Sequence, residues 1–121
     1  MTRAPKHRPE RLAALIKEII ASALMTELKD PRVGFVTVTG VKVSGDGGHA
    51  TVRVSVLGSD EDKVRAVEGL ESARGFLRGF LARTLNLRTA PELHMELDRT
   101  LEQAQRIDRL LGEIRRDEPT S

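Results

Sequence analysis

The chain of 121 residues has no cysteine, tryptophan or tyrosine, and its only aromatic residues besides histidine are Phe35, Phe76 and Phe80. Without cysteine, disulfides and thiolate metal sites are excluded; this fits a reducing cytoplasm, the expected location. No apolar run approaches the roughly 20 residues that span a bilayer, because the apolar residues between Leu12 and Leu28 are interrupted by Lys17, Glu18 and Glu27. The basic start, Met1 to Pro9, leads into no apolar stretch of signal-peptide type. A soluble protein without a membrane partner is expected. The three histidines, His7, His49 and His94, are scattered, with no spacing that would chelate a metal. Gly45-Asp46-Gly47-Gly48 lacks the Lys and the Ser or Thr of a phosphate-binding loop. No Ser–His or paired-carboxylate motif marks a catalytic centre. The expectation is a protein that is not an enzyme and carries neither metal nor cofactor. Phe76 and Phe80 fall on a core-type stripe, so base stacking in the manner of RRM or OB domains is not expected. Any nucleic-acid recognition would lean on phosphate, sugar and shape.

What is present is arginine, unevenly placed. Arg outnumbers Lys by 15 to 5 within a net charge of only +2. Residues 1–11 carry +3, residues 12–71 carry −2, residues 72–91 carry +4 and residues 92–121 carry −3. The third block holds Arg74, Arg78, Arg83 and Arg88 with no acid at all. A guanidinium binds phosphate oxygens two at a time. A GC-rich genome accounts for an Arg excess but not for an acid-free stretch.

Periodicity predicts one domain, a size that can bury about two-thirds of its unfolded surface. Residues 1–8 read as a flexible basic arm. Pro9 opens a helix whose stripe runs through Leu12, Leu15, Ile16, Ile19, Ile20, Ala23, Leu24 and Leu28, ending at Asp30-Pro31. Residues 35–43 read as a strand whose apolar phase shifts at Gly40, which predicts a bulge. After the Ser44–Gly48 turn, Ala50, Val52, Val54 and Val56 alternate with polar residues and complete an antiparallel hairpin. A helix follows Ser59, with Val64, Val67 and Leu70 on its stripe. A second stripe of Phe76, Leu77, Phe80, Leu81 and Leu85 follows, with a kink at Ala73-Arg74-Gly75 between the two. Leu93, Met95 and Leu97 mark a third strand. Leu101, Ala104, Ile107, Leu110, Leu111 and Ile114 mark a last helix. The expected fold class is α+β: a three-stranded sheet with helices on one face. The domain proper is expected over residues 9–99, a C-terminal helical extension over 100–114 and a polar tail over 115–121.

The segment Ser72 to Arg83 is the most informative. On a helix, the Phe and Leu residues fall on one side and Gly75, Gly79 and Ala82 on the other, with Arg74 and Arg78 along one edge and Arg83 near the other. A helical Gly costs about 1 kcal/mol relative to Ala, so two on an exposed face call for a reason. One reason is close approach by a sugar–phosphate chain held between arginines. Another is that Gly75 only permits the kink and Gly79 only allows helix packing. Arg3, Lys6, Arg8 and Arg11 of the basic arm are further candidate phosphate contacts, or else a merely solvated terminus. A protein-interaction module using the Gly75/Gly79/Ala82 face is the competing reading. A hydrolase built on His94 is a more distant one.

Lys29-Asp30-Pro31-Arg32-Val33-Gly34-Phe35-Val36-Thr37-Val38-Thr39 resembles the signature near the first strand of the ribosome-binding factor A family. Val52-Arg53-Val54-Ser55-Val56-Leu57-Gly58 is similar to its second strand, and Ala73-Arg74-Gly75-Phe76-Leu77-Arg78 to its Ala-x-Gly kink. Leu85-Asn86-Leu87-Arg88 with Pro91-Glu92-Leu93, and Arg106 to Leu111, resemble later segments of the family in the same order. Ala104, often Gly in the family, and His94-Met95-Glu96, often more aromatic, depart from its pattern. The resemblance implies a type II KH-like domain of order α-β-β-α-α-β. It implies a monomeric, non-enzymatic factor that binds the free 30S subunit and its 16S rRNA during late maturation and rRNA processing, with a link to cold adaptation. It places the family's kink at Ala73 and Gly75; charge and helical geometry, read beside it, make Arg74, Arg78, Arg83 and Arg88 the expected RNA contacts, with Arg3, Lys6, Arg8 and Arg11 adding affinity.

Overall fold

The computed structural model describes residues 9–117. Its elements run α1 (Pro9–Thr26), β1 (Val36–Val43), β2 (His49–Val56), α2 (Asp60–Ser72), α3 (Arg74–Leu85), β3 (Glu92–Leu97) and α4 (Thr100–Asp117). The first six give the order α-β-β-α-α-β, so the α+β, KH-like expectation holds.

The sheet is mixed, with order β1-β2-β3. β1 and β2 pair antiparallel, and β3 returns parallel to β2. A parallel return needs a crossover, which α2 and α3 supply. The register slips between Val38, opposite Val54, and Gly40, opposite Arg53, so Thr39 is the extra residue of a bulge. The phase shift in the sequence has this cause: one inserted residue moves every later side chain to the other face.

Alternation puts Ala50, Val52, Val54 and Val56 on one face of the central strand, and α1, α2 and α3 cover that face. Ile16, Ile20, Leu70, Leu77, Leu81 and Leu93 are fully buried in one apolar cluster with Val52 and Val54. The outer face stays polar: Arg53 and Glu96 are partners across β2 and β3, and the His49 and His94 rings stack beside them.

α1 ends at Thr26, short of the predicted Asp30-Pro31 boundary. The amides of Glu27 and Leu28 both donate to the Ala23 carbonyl, closing the helix while Leu28 still packs on the core. Asp30 instead builds a turn, accepting from the Arg32 amide at 2.9 Å and the Arg32 guanidinium at 2.7 Å. That turn lies on α2 so closely that a Cβ on Gly69 would stand 2.8 Å from Val33 Cγ2. Ser59 and Asp62 form a capping box at the start of α2.

α4 stands apart from the other helices in its surroundings. Its apolar stripe, Ile107, Leu110, Leu111 and Ile114, is 46–57% exposed, and α1 does not cover it. The helix is tied at its base by polar contacts. Asp98 accepts from the Thr39 hydroxyl at 2.7 Å and the Thr100 amide at 2.9 Å. Lys63 pairs with Glu102, and Arg99 with Glu102 and Asp60.

Candidate nucleic-acid interface

The acid-free segment begins at the joint between α2 and α3. Ala73 is buried and sits at φ −91°, ψ 0°, a conformation that ends one helix and starts the next. Its amide donates to the carbonyls of Gly69 and Leu70, and its carbonyl accepts from the Leu77 amide. Both polar groups of the Ala73 backbone thus stay paired across the bend.

Leu77 and Leu81 anchor α3 in the core. At about 100° per residue, Gly79 lies opposite them. Gly75 flanks it on one side, Arg83 and Phe76 on the other. Gly75 is exposed, and a Cβ built there meets nothing within 4 Å. Gly79 is half-buried, and a Cβ there would stand 3.3 Å from Arg83 Nη1. The Arg83 guanidinium therefore folds back over Gly79, as helical side chains lean toward the N-terminus. Ala82 is half-buried against the core, so the small residues do not form an open groove.

The arginines divide into two kinds. Arg78 faces inward: its Nε donates to the Pro91 carbonyl at 3.1 Å and its Nη2 to the Ala90 carbonyl at 2.9 Å, with Glu92 3.7 Å away. It clamps α3 to the approach of β3. Two of its five donors are thus held by backbone carbonyls, while the side chain stays 35% exposed with donors left over. Arg74 pairs with Glu71 at 3.0 Å on the surface. An exposed pair of this kind is weak and leaves most of the five guanidinium donors open. Arg83 and Arg88 are exposed, with no hydrogen-bond or ion-pair partner among the described residues. Arg11 is exposed on α1, the helix that packs against α3. Arg3, Lys6 and Arg8 lie outside the described residues.

Three features escape the sequence. Phe76 is 44% exposed, whereas its stripe predicts burial. The ring of Phe80 backs it at 6.3 Å. Phe35 and Leu57, both about three-quarters exposed, meet at the open end of the hairpin, where the Leu57 amide donates to the Phe35 carbonyl. They line a cleft of about 640 Å³ with Lys63, Asp98 and Glu102. That cleft carries one base against two acids, the base already paired, so it is not suited to an anion. Asp98 is held down to about 2 from its ordinary 3.8 by hydrogen bonds from Thr100 and Thr39. The alternation around Thr39 and the Asp-x-Thr spacing before α4 carry a partial signal for this hub.

His94 has His49 as its neighbour, 3.0 Å away on the exposed outer sheet. Among the described residues no group of three or more His, Asp or Glu is placed to hold a metal ion. No helix among them is long and apolar enough to cross a membrane.

A KH-like α+β domain with an arginine-bearing helix at an Ala-x-Gly bend is the class that fold and surface define. The family model of ribosome-binding factor A matches residues 8–111. Ribosome-binding factor A of Geobacter metallireducens is 48% identical over 111 residues, 92% of this chain and 94% of the relative. The crystal structure of ribosome-binding factor A from Thermus thermophilus superposes with a TM-score of 0.67 at 30% identity, covering 76% of this chain and 97% of that one. A Thermus thermophilus ribosome-binding factor A model fitted into a cryo-EM map of its complex with the 30S subunit matches with a TM-score of 0.63 at 31% identity, over 74% and 94% of the chains. The chain belongs to the ribosome-binding factor A family.

Proposed function

We propose that this protein binds the free 30S subunit through its 16S rRNA, acting as a monomeric, non-enzymatic factor in the cytoplasm. It favours the conformation of late-maturing rRNA that it binds, a population shift that promotes maturation and rRNA processing and matters most in the cold. The observation that carries this reading is the surface of α3 and the turn after it: Gly75 stands in open space, Arg83 on the helix and Arg88 just beyond it have no partner among the described residues, and the acids that flank the segment in sequence, Glu71 and Glu92, already face Arg74 and Arg78. Arg74, Arg83 and Arg88 contact phosphate. Gly75 admits the backbone of the RNA, Ala73 sets the bend, and Arg78 holds the ridge in place. Arg11 and the arm residues Arg3, Lys6 and Arg8 add attraction. The Thermus relative fitted into a map with a 30S subunit supports the partner.

Sedimentation of cell extract tests this. The protein is expected to travel with free small subunits and to leave them steeply as salt is raised, because bound phosphates release counterions. Migration with a complex that resists salt would favour the competing protein-interaction module.

A further inference from the structure

Phe76 is out of place. A chain with three phenylalanines and no Tyr or Trp leaves one ring almost half exposed on the face of α3 that carries Arg83. Phe80 is packed on the core and backs the Phe76 ring, with a centroid distance of 6.3 Å and a 33° tilt. The ring is therefore buttressed, and no other aromatic covers it among the described residues. Arg83 lies seven residues on, about 10 Å along the helix at 1.5 Å per residue. Its guanidinium folds back over Gly79, between the two. Ring and cation thus share one side of the ridge, with the guanidinium lying over Gly79. Residues 72–91 contain no acid to repel a polyanion.

We propose that Phe76 is a stacking platform for an unpaired nucleobase of RNA, with Arg83 holding the adjacent phosphate. The inference rests on the α3 ridge being the RNA face and says what kind of RNA it takes. A base inside an A-form helix has its faces covered by its neighbours. An unstacked base offers the π-face that an exposed aromatic can meet. The ridge should therefore favour a single-stranded or bulged segment over a continuous duplex.

The test uses the full chain with two probes, a twelve-nucleotide oligoadenylate and a blunt twelve-base-pair RNA duplex, read by fluorescence anisotropy at fixed salt. The unaltered protein is expected to prefer the single strand. Phe76→Leu keeps an apolar side chain but removes the π-face. It is expected to weaken single-strand binding about tenfold, with duplex binding and the salt slope unchanged. Phe76→Trp is expected to restore single-strand binding. Because the chain has no other Trp or Tyr, its indole reports directly, with emission quenched by the single strand and not by the duplex. The platform is refuted if Phe76→Leu binds the single strand as tightly as before, if it loses both RNAs equally, or if the indole emission ignores saturating single strand. Undiminished binding of both RNAs by the Arg74→Glu/Arg83→Glu double variant would refute the ridge itself, and the platform with it.

Discussion

α1 and α4 are both helices of 18 residues with an apolar stripe at helical spacing, yet they meet opposite fates. α1 buries Leu12, Ile16, Ile20 and Ala23 under β1 and α3. α4 leaves Ile107, Leu110, Leu111 and Ile114 in solvent and is fastened at its base by the Asp98 hub and the Lys63–Glu102 pair. Periodicity reports that a helix has an apolar side. It does not report what covers that side, which depends on where the preceding strand delivers the chain. The body is thus held by burial, and the last helix by directional polar contacts.

This contrast can be broken by substitution. Ile20→Ala, at a fully buried position, should cost about 2–5 kcal/mol in denaturant unfolding. Ile107→Ala, at a position 56% exposed, should stay within about 0.5 kcal/mol. Comparable losses at the two sites would mean that α4 packs on the body in solution. Next in size is the Arg78 clamp. Arg78→Leu leaves the carbonyls of Ala90 and Pro91 without a donor and should destabilise by about 1–3 kcal/mol, read from the same unfolding curves.

The glycines sharpen the same distinction between a sealed surface and an open one. Gly69→Ala drives a methyl to 2.8 Å from Val33 and should cost about 1–3 kcal/mol. Gly75→Ala meets nothing within 4 Å and should leave stability unchanged or raise it by up to about 1 kcal/mol, while weakening small-subunit association. The smallest effect is that of acid on the base of α4. The Asp98 carboxylate is depressed to about 2 in the fold from 3.8. Its contribution is fully present above about pH 4 and is lost as pH falls toward about 2. Amide exchange in α4 should quicken over that window, and Asp98→Asn should abolish the pH dependence.

Most of the fold was legible because local chemistry and global packing agree. The bulge shows as a phase shift at Gly40, the α2 start as the acidic run after Gly58-Ser59, and the α2–α3 bend as Ala73 beside Gly75. The site was legible only in part. The acid-free run locates the ridge, but it presents Arg78 as a free guanidinium, because its acceptors, the carbonyls of residues 90 and 91, lie more than ten residues along the chain. Periodicity assigns Phe76 to the core because it belongs to a wide apolar arc. Only the centre of that arc, at Leu77 and Leu81, is fully buried, and how far a core reaches round a helix is set by its neighbours. Phe35 and Leu57 are hidden for a similar reason: at the ends of paired strands, alternation no longer says which side is covered.

The central claim is that the outward face of α3 is the surface that meets RNA. Charge reversal of Arg74, Arg83 and Arg88 together, followed by co-sedimentation with purified free small subunits at low salt, tests it most directly. These side chains lie on the surface, so the melting temperature should move by no more than a few degrees, and binding should be lost. A folded triple variant that still travels with the subunit would place the contact elsewhere on the molecule.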